Sequence, residues 1–226
     1  MRKHYLHKIF EPQSVAVVGA SGAELAVGAL VLGNIIAGGF KGEIYPVNPN
    51  YESVQGLKCY PSIREIDHPV DLVVIAIPAP AIPSVMRECG EHQVGAVVII
   101  SAGFGEVGEQ GQALQNEIVD IAHTHNMPLV GPNCLGIIRP LVGLNASFAK
   151  STVVGGHVAL VAQSGAFCTA LLDWGASRGF GFSAVASLGA TADVGFGEVL
   201  DYLAVDPHTR SILLYIDCLL YTSPSP

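Results

Sequence analysis

Two stretches decide the architecture: SVAVVGASGA at Ser14–Ala23 and HVALVAQSGAF at His157–Phe167. In each, an apolar run ends in small, flexible residues, and a helical pattern begins beyond them. A strand that turns tightly into a helix leaves unpaired backbone N–H groups at the helix N-terminus, where the helix dipole also favours an anion. Two such turns in one chain predict two anion cradles. They would serve two phosphate-bearing ligands, or one ligand and a phosphoryl group.

Working outward from the first stretch, Val15–Val18 reads as a buried strand and Val27–Ala37 as a helix ended by Gly38-Gly39. Glu43–Val47 reads as a second strand, stopped by Asn48-Pro49. Asp71–Ile77, Ala96–Ser101 and Pro128–Val130 read as further strands, with helices over Pro80–Gly90 and Gln112–His125. Strands alternating with helices at this spacing predict an α/β fold, a Rossmann-like doubly wound parallel sheet. From Gly131 to Gly156 the pattern weakens, and the domain connection is placed there. The alternation restarts with a strand at Val158–Ala162 and a helix at Ser164–Arg178, with Phe167, Ala170, Leu171 and Trp174 on one face. A strand at Phe182–Ser187, a helix at Phe196–Ala204 and a strand at Ser211–Ile216 follow. Three strands make a short sheet, so the second domain reads as an incomplete α/β unit. The expected division is 1–140, 150–217, and a tail at 218–226. That tail, CLLYTSPSP, puts prolines and serines where a helix should follow, and reads as foreign sequence; a genuine short tail is the other reading.

Composition bounds the function. The chain has 226 residues, is 50% hydrophobic and only 13% charged, which suits strands buried on both faces. The net charge of −8 argues against nucleic acid as a partner through bulk electrostatics. No apolar run reaches the roughly 18 residues of a membrane span, and the basic N-terminus lacks the apolar core of a signal peptide. The five Cys show no C-x-x-C spacing, so they read as free thiols of a reducing, cytoplasmic compartment.

The first cradle, Gly19-Ala20-Ser21, departs from the dinucleotide fingerprint because its third glycine is displaced to Gly28. The second strand ends in Val47-Asn48-Pro49, where a dinucleotide site usually places an acid for the ribose hydroxyls. Asn48 weakens an NAD reading, whereas a nucleotide carrying a 3′-phosphate, such as coenzyme A, would be repelled by an acid there. A tight turn without a ligand is the alternative. Two further turns fall at strand C-termini, Ile77-Pro78 and Ser101-Ala102-Gly103-Phe104, the edge where ligands of open α/β sheets lie. Pro78 also serves as a strand stop, and Phe104 as a core-edge aromatic.

In the second cradle, Gln163-Ser164-Gly165, Ser164 is a good N-cap and Gly165 leaves room for a phosphate against the backbone. Asp193 is placed to cap the next helix or to polarise a site, capping being favoured. Asp217, ending the strand SILLYID, could orient a nucleophilic His. None of the eight His follows a glycine-rich loop, and no Ser-His-Asp or metal-ligand spacing is present.

The chain resembles the α-type portion of the NDP-forming acyl-CoA synthetases, the superfamily of succinyl-CoA synthetase and ADP-forming acetyl-CoA synthetase. The strings that carry the resemblance are SVAVVGAS, GGFKGEIYPVNP, DLVVIAIPA, SAGFGE, GPNCLGI, ALVAQSGA, SLGATADV with DYLAVDP, and ILLYID. They run in order from about Ile9 to Asp217. The resemblance implies a CoA-binding Rossmann-like domain followed by a flavodoxin-like ligase domain. It implies that coenzyme A or acyl-CoA is held at Gly19, Ala20 and Ser21, at Val47, Asn48 and Pro49, at Ile77 and Pro78, and at Ser101, Ala102, Gly103 and Phe104. It implies that Gln163, Ser164 and Gly165 hold the phosphoryl group. Asp217 stands where the family usually has a Glu that contacts a phosphorylated His, and it is one methylene shorter. The catalytic His of the family lies further along and has no counterpart here. The implied chemistry converts acyl-CoA, phosphate and NDP to acid, CoA and NTP through phospho-His, with an acetate-like acid as substrate. The fragment alone is then expected to bind CoA without turnover. ATP or ADP and Mg are expected only with further domains, an ATP-grasp domain or subunit is the implied partner, and the complete protein is expected to be oligomeric. GLNASFA at Gly143–Ala149 also resembles long fusions carrying a GNAT acetyltransferase domain. That gives a second reading, an acyl-CoA-sensing module for a protein lysine acetyltransferase. A non-enzymatic CoA-binding module is a third.

Overall fold

The computed structural model of the chain describes residues 4–217. After a short helix α1 (His7–Phe10) come β1 (Ser14–Val18), α2 (Val27–Ala37), β2 (Glu43–Val47) and a small hairpin of β3 (Ser53–Val54) and β4 (Leu57–Lys58). Then follow β5 (Leu72–Ile75), α3 (Ile82–Glu91), β6 (Ala96–Ile99), α4 (Glu109–Thr124) and β7 (Leu129–Val130). The first sheet is fully parallel in the order β2-β1-β5-β6-β7. Chain order reverses between β1 and β5, which makes the gap between their C-termini the switch point of a doubly wound sheet. Successive residues of a strand point to opposite faces. Val15, Val17, Leu72, Val74, Ala96 and Val98 therefore pack against α1 and α2, while Ala16, Val18, Val73, Ile75, Val97 and Ile99 pack against α3 and α4.

The second sheet corrects the sequence expectation in one respect. The stretch 131–156, read as a connection, contains a hairpin of β8 (Gly136–Arg139) and β9 (Leu144–Ser147). It joins β10 (Gly155–Ala162), β11 (Phe182–Ser187) and β12 (Ser211–Tyr215) in the order β12-β10-β11-β8-β9. β10, β11 and β12 are parallel, and β8 runs antiparallel to β11. The sheet is thus mixed and five-stranded rather than three-stranded. The linking helices are α5 (Gly165–Arg178) and α6 (Phe196–Ala204). The α5 face is also corrected: Cys168, Leu172 and Gly175 are buried, while Ala170 and Trp174 are exposed. GLNASFA is accounted for by packing, since Asn34 of α2 donates through Nδ2 to the carbonyls of Ser147 (2.7 Å) and Ala149 (2.8 Å). The apolar cluster on the α2 face of the first sheet continues through Ala159, Val161, Ala184 and Ala186 of the second.

A buried ion pair inside the second half anchors one polar contact between the halves, and Asp193 makes another. The fully buried Arg139 donates to both carboxylate oxygens of Asp206 (2.9 and 2.8 Å) and to the Ser183 carbonyl (2.9 Å). Glu11, beside α1, lies 3.5 Å from the same guanidinium and accepts from the Tyr202 hydroxyl (2.8 Å). Asp193 does not cap α6, whose N-cap is Gly195. It instead accepts from the Leu129 N–H (2.8 Å) and meets His123 Nε2 (2.8 Å), joining the 188–194 loop to α4 and β7. Among the described residues no helix is long and apolar enough to cross a membrane, and no group of His, Cys, Asp and Glu could hold a metal ion. The tail at 218–226 lies outside the described residues.

Candidate functional site

The first cradle sits at the switch point of the first sheet. Gly19 adopts φ +91°, and a Cβ there would overlap the Ala76 carbonyl on the neighbouring turn. A Cβ on Gly28 would overlap the Gly19 carbonyl, so the displaced glycine lets α2 pack directly on the turn. The Gly19 N–H is engaged by the Val47 carbonyl (2.9 Å), and the Ala23 N–H by Ser21 Oγ (3.1 Å). Between them, the N–H groups of Ala20, Ser21 and Gly22 have no acceptor among the described residues. Three successive unpaired donors at a strand–turn–helix junction have the chemistry to meet an anion.

Asn48 has a structural task that its sequence position did not reveal. Its Nδ2 donates to the Ala20 carbonyl (2.8 Å) and its Oδ1 accepts from the Asn50 N–H (3.0 Å). This strap turns the Ala20 carbonyl toward β2. Both ends of the amide are engaged, so the fold fixes the orientation of Asn48. Ala20 and Val47 are buried, which leaves only their backbone groups at the site.

The loops after β5 and β6 are tied together, Ser101 Oγ donating to the Ile77 carbonyl (2.6 Å). Pro78 is exposed beside them, whereas the Phe104 ring is fully buried in the core facing α3 and α4. Phe104 is therefore a core aromatic, and its ring is out of a ligand's reach. The N–H groups of Gly103 (2.5 Å) and Phe104 (3.2 Å) both donate to the Glu106 carboxylate. Partial burial alone would raise the pKa of Glu106, but these N–H donors outweigh it and hold the carboxyl below its ordinary value. Unlike those of Ala20–Gly22, the N–H groups of Gly103 and Phe104 are satisfied within their own loop.

The second cradle sits at the matching gap between β10 and β12. Ser164 caps α5, its Oγ accepting from the Phe167 N–H (3.2 Å). The N–H groups of Gly165 and Ala166 have no acceptor among the described residues. Gln163 Oε1 accepts from the Asp217 N–H (2.8 Å), which brings the strand-end acid to the cradle. The Asp217 side chain is exposed and holds the Tyr215 hydroxyl above its ordinary pKa by accepting its hydrogen bond.

The residues that sequence reasoning missed lie between the cradles. Asn133 N–H donates to the Ser101 carbonyl (3.0 Å), Ala190 N–H to the Pro132 carbonyl (2.9 Å), and Leu135 N–H to Ser187 Oγ (3.0 Å). A Cβ on Gly165 would touch Leu135 at 3.4 Å. Ile77, Ser101, Asn133, Leu135 and Gly165 thus form one connected wall along the C-terminal edges of both sheets. Asn133 (φ +56°) and Gly189 (φ +55°) take left-handed conformations here, and a Cβ on Gly189 would overlap the Pro132 and Asn133 carbonyls. GPNC and SLGA were visible as turn-forming strings, but their meeting is tertiary. Burial pushes the thiols of Cys89, Cys134 and Cys168 up to about 12, so none is a thiolate near neutral pH.

Comparison with known proteins bears on both halves. A CoA binding domain matches residues 13–140, and a succinyl-CoA ligase like flavodoxin domain matches residues 155–220. The acetate–CoA ligase [ADP-forming] I of Archaeoglobus fulgidus is 42% identical over 212 residues, covering 94% of this chain and 31% of that protein. The α subunit of acetate–CoA ligase [ADP-forming] I from Pyrococcus furiosus is 39% identical over 216 residues, covering 94% of this chain and 47% of that subunit. The dinucleotide forming acetyl-coenzyme A synthetase 1 of Ca. Korarchaeum cryptofilum, in complex with phosphate and ADP, superposes with a TM-score of 0.92 at 36% identity. That match covers 96% of this chain and 46% of the other. The chain spans less than half the length of these relatives.

Proposed function

Because the chain belongs to the CoA-binding domain family, over half its length matching that domain, we propose that it is the CoA-binding and phosphate-cradle portion of an ADP-forming acid–CoA ligase. The observation that carries this reading is the connected wall. It runs from three unpaired N–H groups at Ala20–Gly22 to two more at Gly165–Ala166. A ligand with phosphates at one end and a thioester at the other fits such an edge.

The first turn would take the CoA pyrophosphate through the N–H groups of Ala20, Ser21 and Gly22. Asn48 keeps the Ala20 carbonyl turned away and adds no negative charge near a 3′-phosphate. Val47, Pro49, Ile77, Pro78, Ser101, Ala102 and Gly103 would shape the rest of the groove through their backbones, and Phe104 would support that loop from the core. In the reaction, a phosphate oxygen attacks the thioester carbonyl, the C–S bond breaks, and CoA leaves as the thiolate. The resulting acyl phosphate transfers its phosphoryl group to a His nitrogen and releases the acid, and the phosphoryl group then passes to NDP. Gln163, Ser164 and Gly165 would bind the transferring group at the α5 N-terminus, where backbone donors and the dipole stabilise its charge. Asp217 would orient the His that receives the phosphoryl group. Nucleotide and Mg belong, on this reading, to an ATP-grasp domain or subunit that docks against this chain in an oligomeric, cytoplasmic enzyme.

The acetyltransferase-linked reading rested on GLNASFA and Asp217. Docking of β9 on α2 now explains the first, and the position of Asp217 beside the second cradle suits ligase chemistry.

Calorimetric titration with CoA and NAD tests the proposal. Saturable binding of CoA with none of NAD is expected. Tight NAD binding without CoA binding would overturn it.

A further inference from the structure

We infer that Tyr51 is the nucleobase-stacking residue of the first cradle, held in place by a rigid excursion of the chain between β2 and β5. This rests on the CoA reading of that cradle and adds a residue to it. Tyr51 is 38% exposed. Its neighbours Tyr45 and Tyr60 pack edge to face at 5.8 Å, but Tyr51 makes no ring contact among the described residues. Its hydroxyl lies 3.5 Å from Ser21 Oγ, and its ring edge lies 3.8 Å from where a Cβ on Gly22 would stand. The ring therefore flanks the three unpaired N–H groups.

That position is built by specific contacts rather than by burial of the ring. Asn48 accepts through Oδ1 from Asn50 and ties the excursion to Ala20. Cys59 N–H donates to the Glu52 carbonyl (2.8 Å), closing the segment that carries the ring. Gln55, at φ +51°, donates through Nε2 to the Ala29 carbonyl (2.9 Å) and docks the β3–β4 hairpin on α2. A stacking surface that is already ordered loses little side-chain entropy when the ligand arrives. An aromatic face beside an anion cradle matches a base attached to phosphates, because any base offers a π-face of its own. The adenine of CoA, rather than its pantetheine arm, is the part that Tyr51 recognises.

The test titrates the wild-type chain, Tyr51→Ala and Tyr51→Phe with CoA and with adenosine 3′,5′-bisphosphate, thermal melting checking that each variant is folded. The expected result is that Tyr51→Ala weakens both ligands by the same factor, about tenfold, while Tyr51→Phe stays within about twofold of wild type. Unchanged binding by Tyr51→Ala would overturn the inference. So would a loss confined to CoA, or a Tyr51→Phe loss as large as that of Tyr51→Ala, which would assign the effect to the hydroxyl. A wild-type chain that binds neither ligand would overturn the CoA reading itself.

Discussion

The two cradles share a plan and differ in what surrounds it. The first turn is enclosed by β2, β5, α2 and the 48–60 excursion, its glycines packed against backbone, its three donors unpaired. The second turn has a capped helix and a strand-end acid, but β12 beside it is an edge strand with Leu213 and Leu214 about two-fifths exposed. Among the described residues no His makes a hydrogen bond at the second cradle. The same strand–turn–helix device is thus enclosed by neighbours in one place and stands at a sheet edge in the other, among the described residues. The difference lies in neighbours that come from distant sequence, not in the turn itself.

The largest effect should come from the buried ion pair inside the second half. Asp206→Ala leaves the fully buried Arg139 guanidinium without its bidentate partner. A loss of about 3–5 kcal/mol in urea unfolding is expected; a loss below about 1 kcal/mol would mean that the pair adds little to the second half. The pH dependence has a definite sign. Burial would raise the Asp206 pKa, but hydrogen bonds from Arg139 and Thr209 outweigh it and hold the carboxyl below its ordinary value. A depressed folded-state pKa adds stability above the unfolded value. That contribution is present at neutral pH and disappears as the pH falls below the ordinary Asp value of about 3.9 and through the folded one. Asp206→Ala should flatten this acid limb.

Next comes the first turn. Gly28→Ala forces a methyl into the Gly19 carbonyl and must push α2 off the turn. About 1–3 kcal/mol of stability should be lost, together with CoA binding, whereas Gly197→Ala on the open side of α6 meets no neighbour and should leave binding unchanged. Asn48→Asp replaces a donor by a carboxylate facing the Ala20 carbonyl. CoA affinity should fall by about tenfold with stability less affected, and unchanged affinity would detach Asn48 from the site. The smallest effect is at the second turn. Ser164→Ala removes the N-cap of α5 at a cost of about 1 kcal/mol in denaturant unfolding, and CoA binding at the first cradle should survive it.

Much of the fold was legible in the sequence because it rests on local signals. The helices Val27–Ala37 and Phe196–Ala204 and the strands Glu43–Val47 and Phe182–Ser187 have the bounds that their apolar patterns and terminating Gly or Pro indicate. The β8–β9 hairpin was not legible, because four-residue strands around Pro140 and Gly143 carry too short a period to separate from a loop. The buried face of α5 was not legible because the helix is apolar on several sides and its aromatics lie off the core stripe. The core stripe consists of the smaller Cys168, Leu172 and Gly175. Ser164 and Gly165 could be read as a cap and a turn, and Asp217 as a strand-end acid. The Asn48 strap, the Glu106 bonds to Gly103 and Phe104, and the Asn133–Ser101 link could not, because each pairs residues that only the fold brings together.

The claim that the cradles are unequal partners on one wall is tested most directly by amide NMR of the labelled chain. CoA should shift the N–H resonances of Ala20, Ser21 and Gly22 strongly, and inorganic phosphate should shift those of Gly165 and Ala166. Phosphate shifts confined to Ala20–Gly22, or CoA shifts that bypass these three residues, would contradict the account.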